Sequence, residues 1–374
     1  MPHKEKDTFM TPPLRFGTYV EFQCPPGKDH AELIEEVIEL AIHADQNGFS
    51  VFTTLEHPFF EQFAINPNPL ALYCTLAERT KQIRFRTLCH TLPLHNPMIL
   101  AGEIAEADIL TKGRIECGVG RGHAWLNEPA NIVMEENQER YVEALDILIK
   151  AWTEERFSYD GKYYKVKNLS VVPKPYQKPH PKIFQVGTSA KWFEMAAQRE
   201  WGVCIGGPAP TSVFREPAKL YHQACKDAGK PPYLGWVKAI YIDEDEKTAL
   251  REAEQPVRNF VDFNVSPMDS LARNTAEEKQ RLIDAGYGFY AADTFPGLRN
   301  LSYQELIDAG IVFVGSPQTV GKQLLDLWKE FRFDEMIVIS HYGGIARDKA
   351  LKTQDLFAKK VMPMILAEVR KENG

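Results

Sequence analysis

Three short runs carry residue types that could hold an anion and move a proton. Gly120-Arg121-Gly122-His123 sets a guanidinium in flexible backbone, and Gly187-Thr188-Ser189 sets two hydroxyls beside a glycine. Arginine offers a planar fork of N–H donors that matches phosphate oxygens. A small hydroxyl-bearing turn that opens a helix adds free backbone N–H groups and the positive end of the helix dipole. Arg140, near the start of the next helical period, is a further candidate donor. Together they outline a monophosphate grip; the alternative is that the glycines shape turns and Thr188 caps a helix. The third run, Leu55-Glu56-His57-Pro58-Phe59, puts an imidazole next to an acid. His57 can act there as acid, base or donor near neutral pH, or serve as a packing or capping group. His90, His95, His123 and His341 add imidazoles and raise a metal-hydrolase reading. The first strand ends in Phe22-Gln23-Cys24, with no His-x-His pair, and the last supplies no Asp ligand. No metal is expected.

These runs fall where strands pass into helices. Short apolar runs predict strands at 14–22, 49–54, 83–89, 114–119, 182–186, 203–205, 234–242 and 335–340. Helical periods lie between them at about 30–47, 67–80, 97–110, 141–152, 190–201, on to 228, 317–330 and on to 368, with a hairpin at 157–164 turning on Asp160-Gly161. Each β-α step needs a crossover helix, so the strands are parallel. An open sheet and a closed barrel both satisfy this; eight units without a topological break favour a single (β/α)8 TIM barrel over residues 1–374. In such a barrel the chemistry sits beyond the C-terminal strand ends, where the three runs lie. Residues 243–310 are too long for one connection. They read as an insertion after strand seven, either a lid over that face or a packing appendage.

Composition narrows the setting. The 374 residues carry 44 Lys and Arg against 51 Asp and Glu, a net charge of −7, and no basic run offsets it, so nucleic acid is disfavoured. No stretch approaches the roughly 18 apolar residues of a membrane span, and Met1 to Thr11 is polar without an apolar export core. Six scattered cysteines without a CxxC read as reduced thiols, and the expected location is cytoplasmic.

The run 55–59, Leu92 to Pro97, Leu110 to His123, 157–164, Pro173 to Pro181, Val314-Gly315-Ser316-Pro317 and Val361-Met362-Pro363 together resemble the bacterial luciferase-like flavin monooxygenases. The resemblance spans about 14–368 and is weakest over 243–310. It implies a TIM barrel, often a homodimer, that uses reduced FMN and O2. Some members use a deazaflavin for hydride transfer, and some bind flavin without catalysis. His57 matches the family's catalytic histidine; Pro58 stands where the luciferases have a second one, so their aldehyde chemistry is not implied. Arg121 matches the phosphate-binding arginine and Arg140, after a one-residue gap, a second. Gly187-Thr188-Ser189 matches the phosphate turn, and His123 lies in the same cofactor-binding run as Arg121. Leu88-Cys89 falls where luciferases carry a non-prolyl cis peptide beside the flavin ring, and Gly120 where they carry a reactive cysteine. The expected reaction inserts one oxygen atom into a small, largely apolar organic substrate within walls built from Phe22, Phe59, Phe60, Phe63, Trp125 and Trp192. No GxGxxG follows the first strand, so reduced FMN is expected from a separate reductase.

Overall fold

Eight short parallel strands close into a ring: β1 (Arg15–Val20), β2 (Val51–Thr54), β3 (Arg84–Thr87), β4 (Ile115–Gly120), β5 (Ile183–Val186), β6 (Gly202–Gly206), β7 (Leu234–Ile242) and β8 (Glu335–His341). The structure, a computed structural model, describes residues 14–373, so Met1 to Thr11 lies outside it. Each strand pairs with its sequence neighbour, and β8 returns to β1 with Arg15 opposite Glu335 and Ile339 opposite Tyr19. The strands are buried almost throughout because helices cover the outside and side chains fill the inside.

The crossover helices start where capping chemistry puts them. Asp29 accepts the Glu32 N–H at the head of α1 (His30–Gln46), and Asn68 accepts the Ala71 N–H at α2 (Pro69–Ala77). Asn96 caps α3 (Pro97–Leu110), with proline at the first helical position, where no N–H is needed. Then come α4 (Asn137–Thr153), α5 (Ala190–Gln198) and α6 (Arg215–Ala228). The expected hairpin is present as Phe157–Asp160 paired with Lys165–Leu169.

The 243–310 stretch divides in two. Its first part is α7 (Glu246–Val265), capped by Asp245, whose Ala249, Ala253, Val257 and Phe260 join the main core. This is a crossover helix, not an excursion. Beyond it, α8 (Ala276–Asp284) begins with a reciprocal Thr275–Glu278 capping box, and short helical turns follow at Gly288–Ala291 and Thr294–Gly297. Leu282, Ala285, Tyr287 and Ala291 form a small apolar cluster of their own with Ala124, beside the end of β4. A short strand, Val312–Gly315, then pairs with the far half of β7, Ala239 facing Val312. Sequence reading missed it, because four apolar residues between glycines carry too little period to separate from a loop. The chain closes with α9 (Pro317–Phe331), β8, α10 (Arg347–Leu356) and α11 (Met362–Asn373).

One end of the barrel is sealed by charge. At the N-terminal strand ends Arg86 is fully buried between Glu116 and Glu335; its Nε donates to Glu116 Oε2 at 2.8 Å, and its two terminal nitrogens bond Glu335 and Glu116. Arg84 joins at 2.8 Å through Glu116 Oε1. The opposite end, at the C-terminal tips, is where the barrel opens.

Candidate active site

A cavity of about 320 Å³ lies at that open end, within the size range of small-molecule sites. Strands β1 to β6 each contribute a wall residue at or just past the C-terminal end, β7 contributes Val237 from nearer its start, and the Gly286–Tyr290 segment covers one side.

Arg121 sits in the wall just past β4. Its Nη1 donates to Ala285 O at 3.0 Å and its Nη2 to Gly286 O at 2.5 Å, while the guanidinium lies 4.4 Å from the Tyr287 ring centre. The C-terminal carbonyls of α8 are natural acceptors for a cation. Across the wall, Gly187, Thr188 and Ser189 are exposed to the cavity at the end of β5. Gly187 has φ +129°, a conformation that only glycine takes without strain. The Ser189 side chain makes no capping bond at the head of α5, which leaves its hydroxyl and the first backbone N–H groups available for an acceptor. The two halves of the expected anion grip share one cavity.

Leu88 and Cys89 also line it, and the peptide between them is cis. Burial pushes the Cys89 thiol up to about 12, so it stays protonated at neutral pH. Its sulfur takes the space beside Gly120, where a Cβ would lie 2.4 Å from it. A side chain at 120, such as the cysteine of the luciferases, needs a smaller residue at 89.

His123 lines the cavity, stacked on Trp125 with ring centres 4.3 Å apart, and its Nδ1 lies 2.7 Å from the Tyr290 hydroxyl. Burial, with the nearby His57 adding to it, lowers the imidazole to about 3, so it is neutral. His57 is placed differently from expectation. It is fully buried and absent from the wall; its Nδ1–H donates to Phe59 O at 2.6 Å and its Nε2 accepts the Trp125 indole N–H at 3.3 Å. Both nitrogens are occupied, and burial lowers it to about 4. Arg140 is not brought to the cavity either. It lies on the first turn of α4, where its Nε and Nη2 bond Glu136 at 3.0 and 2.8 Å and its guanidinium covers Tyr163. An i,i+4 partner and an aromatic face hold it at the surface. Of the six aromatic residues expected near the mouth, Phe63, Trp125 and Trp192 line the cavity; Phe22, Phe59 and Phe60 do not.

Two carboxylates in the wall carry no role of their own in the sequence analysis. Glu56 takes His90 Nδ1 at 3.1 Å on one oxygen and His95 Nε2 at 2.5 Å on the other. Burial alone would raise it, but these two bonds hold it at about 2. Part of the histidine-rich set therefore serves a carboxylate. Glu21, near the end of β1, was not singled out at all. A Glu in an otherwise apolar strand, two residues after Tyr19 on the same face, was the available signal. Elsewhere, metal-ligating atoms of Cys24, His30 and Glu61 come within 4.8 Å of one another, outside the cavity wall.

Comparison with known proteins adds to this geometry. The profile of luciferase-like monooxygenases matches residues 14–335. The chain belongs to the luciferase-like monooxygenase family. It is an enzyme, a flavin-dependent monooxygenase of the luciferase-like type. The oxygenase component of the flavin-dependent trigonelline monooxygenase of Acinetobacter baylyi is 29% identical over 72% of this chain and 75% of its own. The F420-dependent glucose-6-phosphate dehydrogenase of Segniliparus rotundus is 33% identical over 70% of this chain and 77% of its own. In fold, the chain is similar to the oxygenating constituent of 3,6-diketocamphane monooxygenase from Pseudomonas putida, solved with FMN, at a TM-score of 0.75 and 20% identity, covering 94% of this chain and 98% of that one. Among the described residues no helix is long and apolar enough to cross a membrane.

Proposed function

We propose that this luciferase-like enzyme uses reduced FMN and O2 to place one oxygen atom into a small organic substrate, working as a homodimer with a separate reductase. The observation that carries the reading is the convergence of Arg121 and the Gly187–Ser189 turn on one cavity. The donor set fits a phosphate monoester: a guanidinium with five N–H groups, two hydroxyls, and the free start of a helix. Reduced FMN would supply the electrons that activate O2. The chain's own part is to bind, orient and keep out water. Arg121 and the turn hold the phosphate. The stacked His123 and Trp125, closed by Tyr290, form a largely apolar wall in which His123 Nδ1 is bonded to the Tyr290 hydroxyl and the Trp125 indole to His57. His57 acts through Trp125: by accepting the indole N–H it fixes that ring, so it is a positioning residue. The Gly286–Tyr290 segment serves as the lid. Exposed Ile99 and Leu110 on α3 offer apolar surface for the second copy. The oxygenase component from A. baylyi is the relative that supports a partner reductase.

The test is turnover with FMN, a supplied flavin reductase and isotopically labelled O2, followed by mass analysis of product. Label in the product supports the reading; O2 consumed only to hydrogen peroxide across a broad substrate panel overturns it. A second reading, hydride transfer with a deazaflavin, is favoured by the F420-dependent relative at 33% identity. Spectral titration with reduced FMN and reduced deazaflavin separates the two, since only the deazaflavin reading permits substrate turnover without O2.

A further inference from the structure

The charged groups of the cavity are matched, with one exception. Glu56 is met by two imidazoles, and Arg121 by two carbonyls and an aromatic face. Glu21 lines the same cavity with only 5% of its surface exposed. One of its oxygens, Oε2, accepts from Gln23 Nε2 at 2.9 Å and Asn264 Nδ2 at 3.0 Å. Both donors are neutral amides, and Oε1 has no hydrogen bond from the described residues. The ionisable neighbour on the same strand face is the Tyr19 phenol, whose proton burial and Glu21 both help to retain. Burial pushes the Glu21 carboxyl up to about 7, against the Asn264 bond that favours its charged form.

A carboxylate placed in a dry wall without a cation is costly, and Glu56, Glu116 and Glu335, buried like Glu21, each have one or more basic partners. Two amides converging on Oε2 fix the group and leave the second oxygen for a ligand. The ring order places this group well. In a closed barrel of eight strands, β5, which carries the phosphate turn, stands opposite β1, which carries Glu21. A ligand anchored at Gly187–Ser189 leaves the β1 wall as the far side of the same mouth.

We propose that Glu21 is a recognition subsite for a nitrogen cation or N–H donor on the substrate, whose apolar body rests on the neighbouring wall residues Leu55, Phe63 and Val237. The substrate class is then a small organic amine or nitrogen heterocycle rather than a wholly apolar molecule. The inference rests on the flavin-oxygenase reading above and names the substrate class of that site.

The test measures binding of three matched probes, benzylammonium, benzyl alcohol and benzoate, to the purified protein by calorimetry, with and without FMN. At pH 8 the wild type is expected to take benzylammonium about tenfold more tightly than benzyl alcohol, the span of one charge-assisted hydrogen bond, and, with FMN holding the anion grip, to reject benzoate. In Glu21→Gln the cation preference falls to within about twofold, a change of about 1 kcal/mol or more, while FMN affinity is unchanged. The preference grows from pH 6 to pH 8 more in wild type than in Glu21→Gln, as Glu21 loses its proton; neutral Gln23 and Asn264 do not titrate, Tyr19 stays protonated, and the His95–Glu56 pair of the same wall is common to both proteins. Equal binding of cation and alcohol, or a preference that survives Glu21→Gln, overturns the proposal. Loss of FMN affinity in Glu21→Gln also overturns it, because the carboxylate would then serve the flavin ring. Wild-type protein that prefers the cation yet binds no FMN sinks the oxygenase reading and leaves the cation subsite standing.

Discussion

Arg121 and His57 do separate work, and single substitutions distinguish them. Arg121 faces the cavity and also holds the Ala285 and Gly286 carbonyls, so Arg121→Ala removes charge-assisted donors from the proposed phosphate position and loosens the segment beside it. We expect FMN affinity to fall about 10- to 100-fold and riboflavin affinity to change little, measured by fluorescence titration; equal loss for both flavins removes Arg121 from the grip. His57 meets the cavity wall through the Trp125 indole N–H and through Phe63, whose ring centre lies 4.4 Å from its own, and its burial keeps it neutral in the folded state. His57→Ala should therefore retain FMN affinity, alter Trp125 fluorescence and divert turnover toward hydrogen peroxide. A pH consequence follows from the same burial. The folded His57 binds its proton only near 4, whereas the unfolded chain binds one near 6.5. Its contribution is complete above pH 6.5 and is lost as pH falls through 6.5 toward 4, by about 3 kcal/mol. His123, lowered to about 3, acts in the same direction. Urea midpoints should decline across that window in wild type and less steeply in a folded His57→Phe variant.

At the scale of elements, the decisive contact joins α8 to the end of β4. Arg121 holds the Ala285 and Gly286 carbonyls just past α8, and this turn packs tightly: a Cβ on Gly286 would lie 2.1 Å from Gln138 Nε2 and within 3.3 Å of both terminal nitrogens of Arg121. Gly286 also has φ +76°, in the left-handed region. Gly286→Val is expected to lift the 286–290 segment from the cavity, raising the hydrogen peroxide share of turnover several-fold while costing about 1–2 kcal/mol of stability. Faster proteolysis near 286 in the variant, with the barrel intact, is the structural readout. The same contact makes Arg121 both a phosphate ligand in the proposed function and the anchor of the lid.

For the molecule as a whole, the barrel is asymmetric along its axis. The N-terminal end is locked by the Arg86–Glu116–Glu335 cluster and the C-terminal end is left open for a ligand. Arg86→Met would leave buried Glu335 with only Arg15 as a basic partner, at 3.6 Å, while Glu116 keeps Arg84, with a stability loss of about 3 kcal/mol. Chemical denaturation should show this with little change in FMN affinity, because the cluster lies at the end away from the phosphate turn. A loss of binding as large as the loss of stability would show the two ends to be coupled.

Much of the architecture was written in local pattern. Apolar runs of four to nine residues alternating with capped helical periods specify parallel strands and crossovers, and all eight barrel strands lie within about three residues of where that pattern puts them. Gly187-Thr188-Ser189 and Arg121 were legible for the same reason: a glycine turn before a helix and an arginine after a strand keep their meaning in one dimension. The division of 243–310 into α7 and a segment that covers one side of the cavity, and the strand at 312–315, depend on which apolar surface covers which. Sequence periodicity does not encode that. Nor does it encode that Trp125 stands between His57 and the cavity, or that Glu136 and Tyr163 hold Arg140 outside it. Whether a polar group acts on a ligand depends on which of its atoms remain unbonded once distant strands are brought together. That count exists only in three dimensions, and it leaves Glu21 with an oxygen to spare.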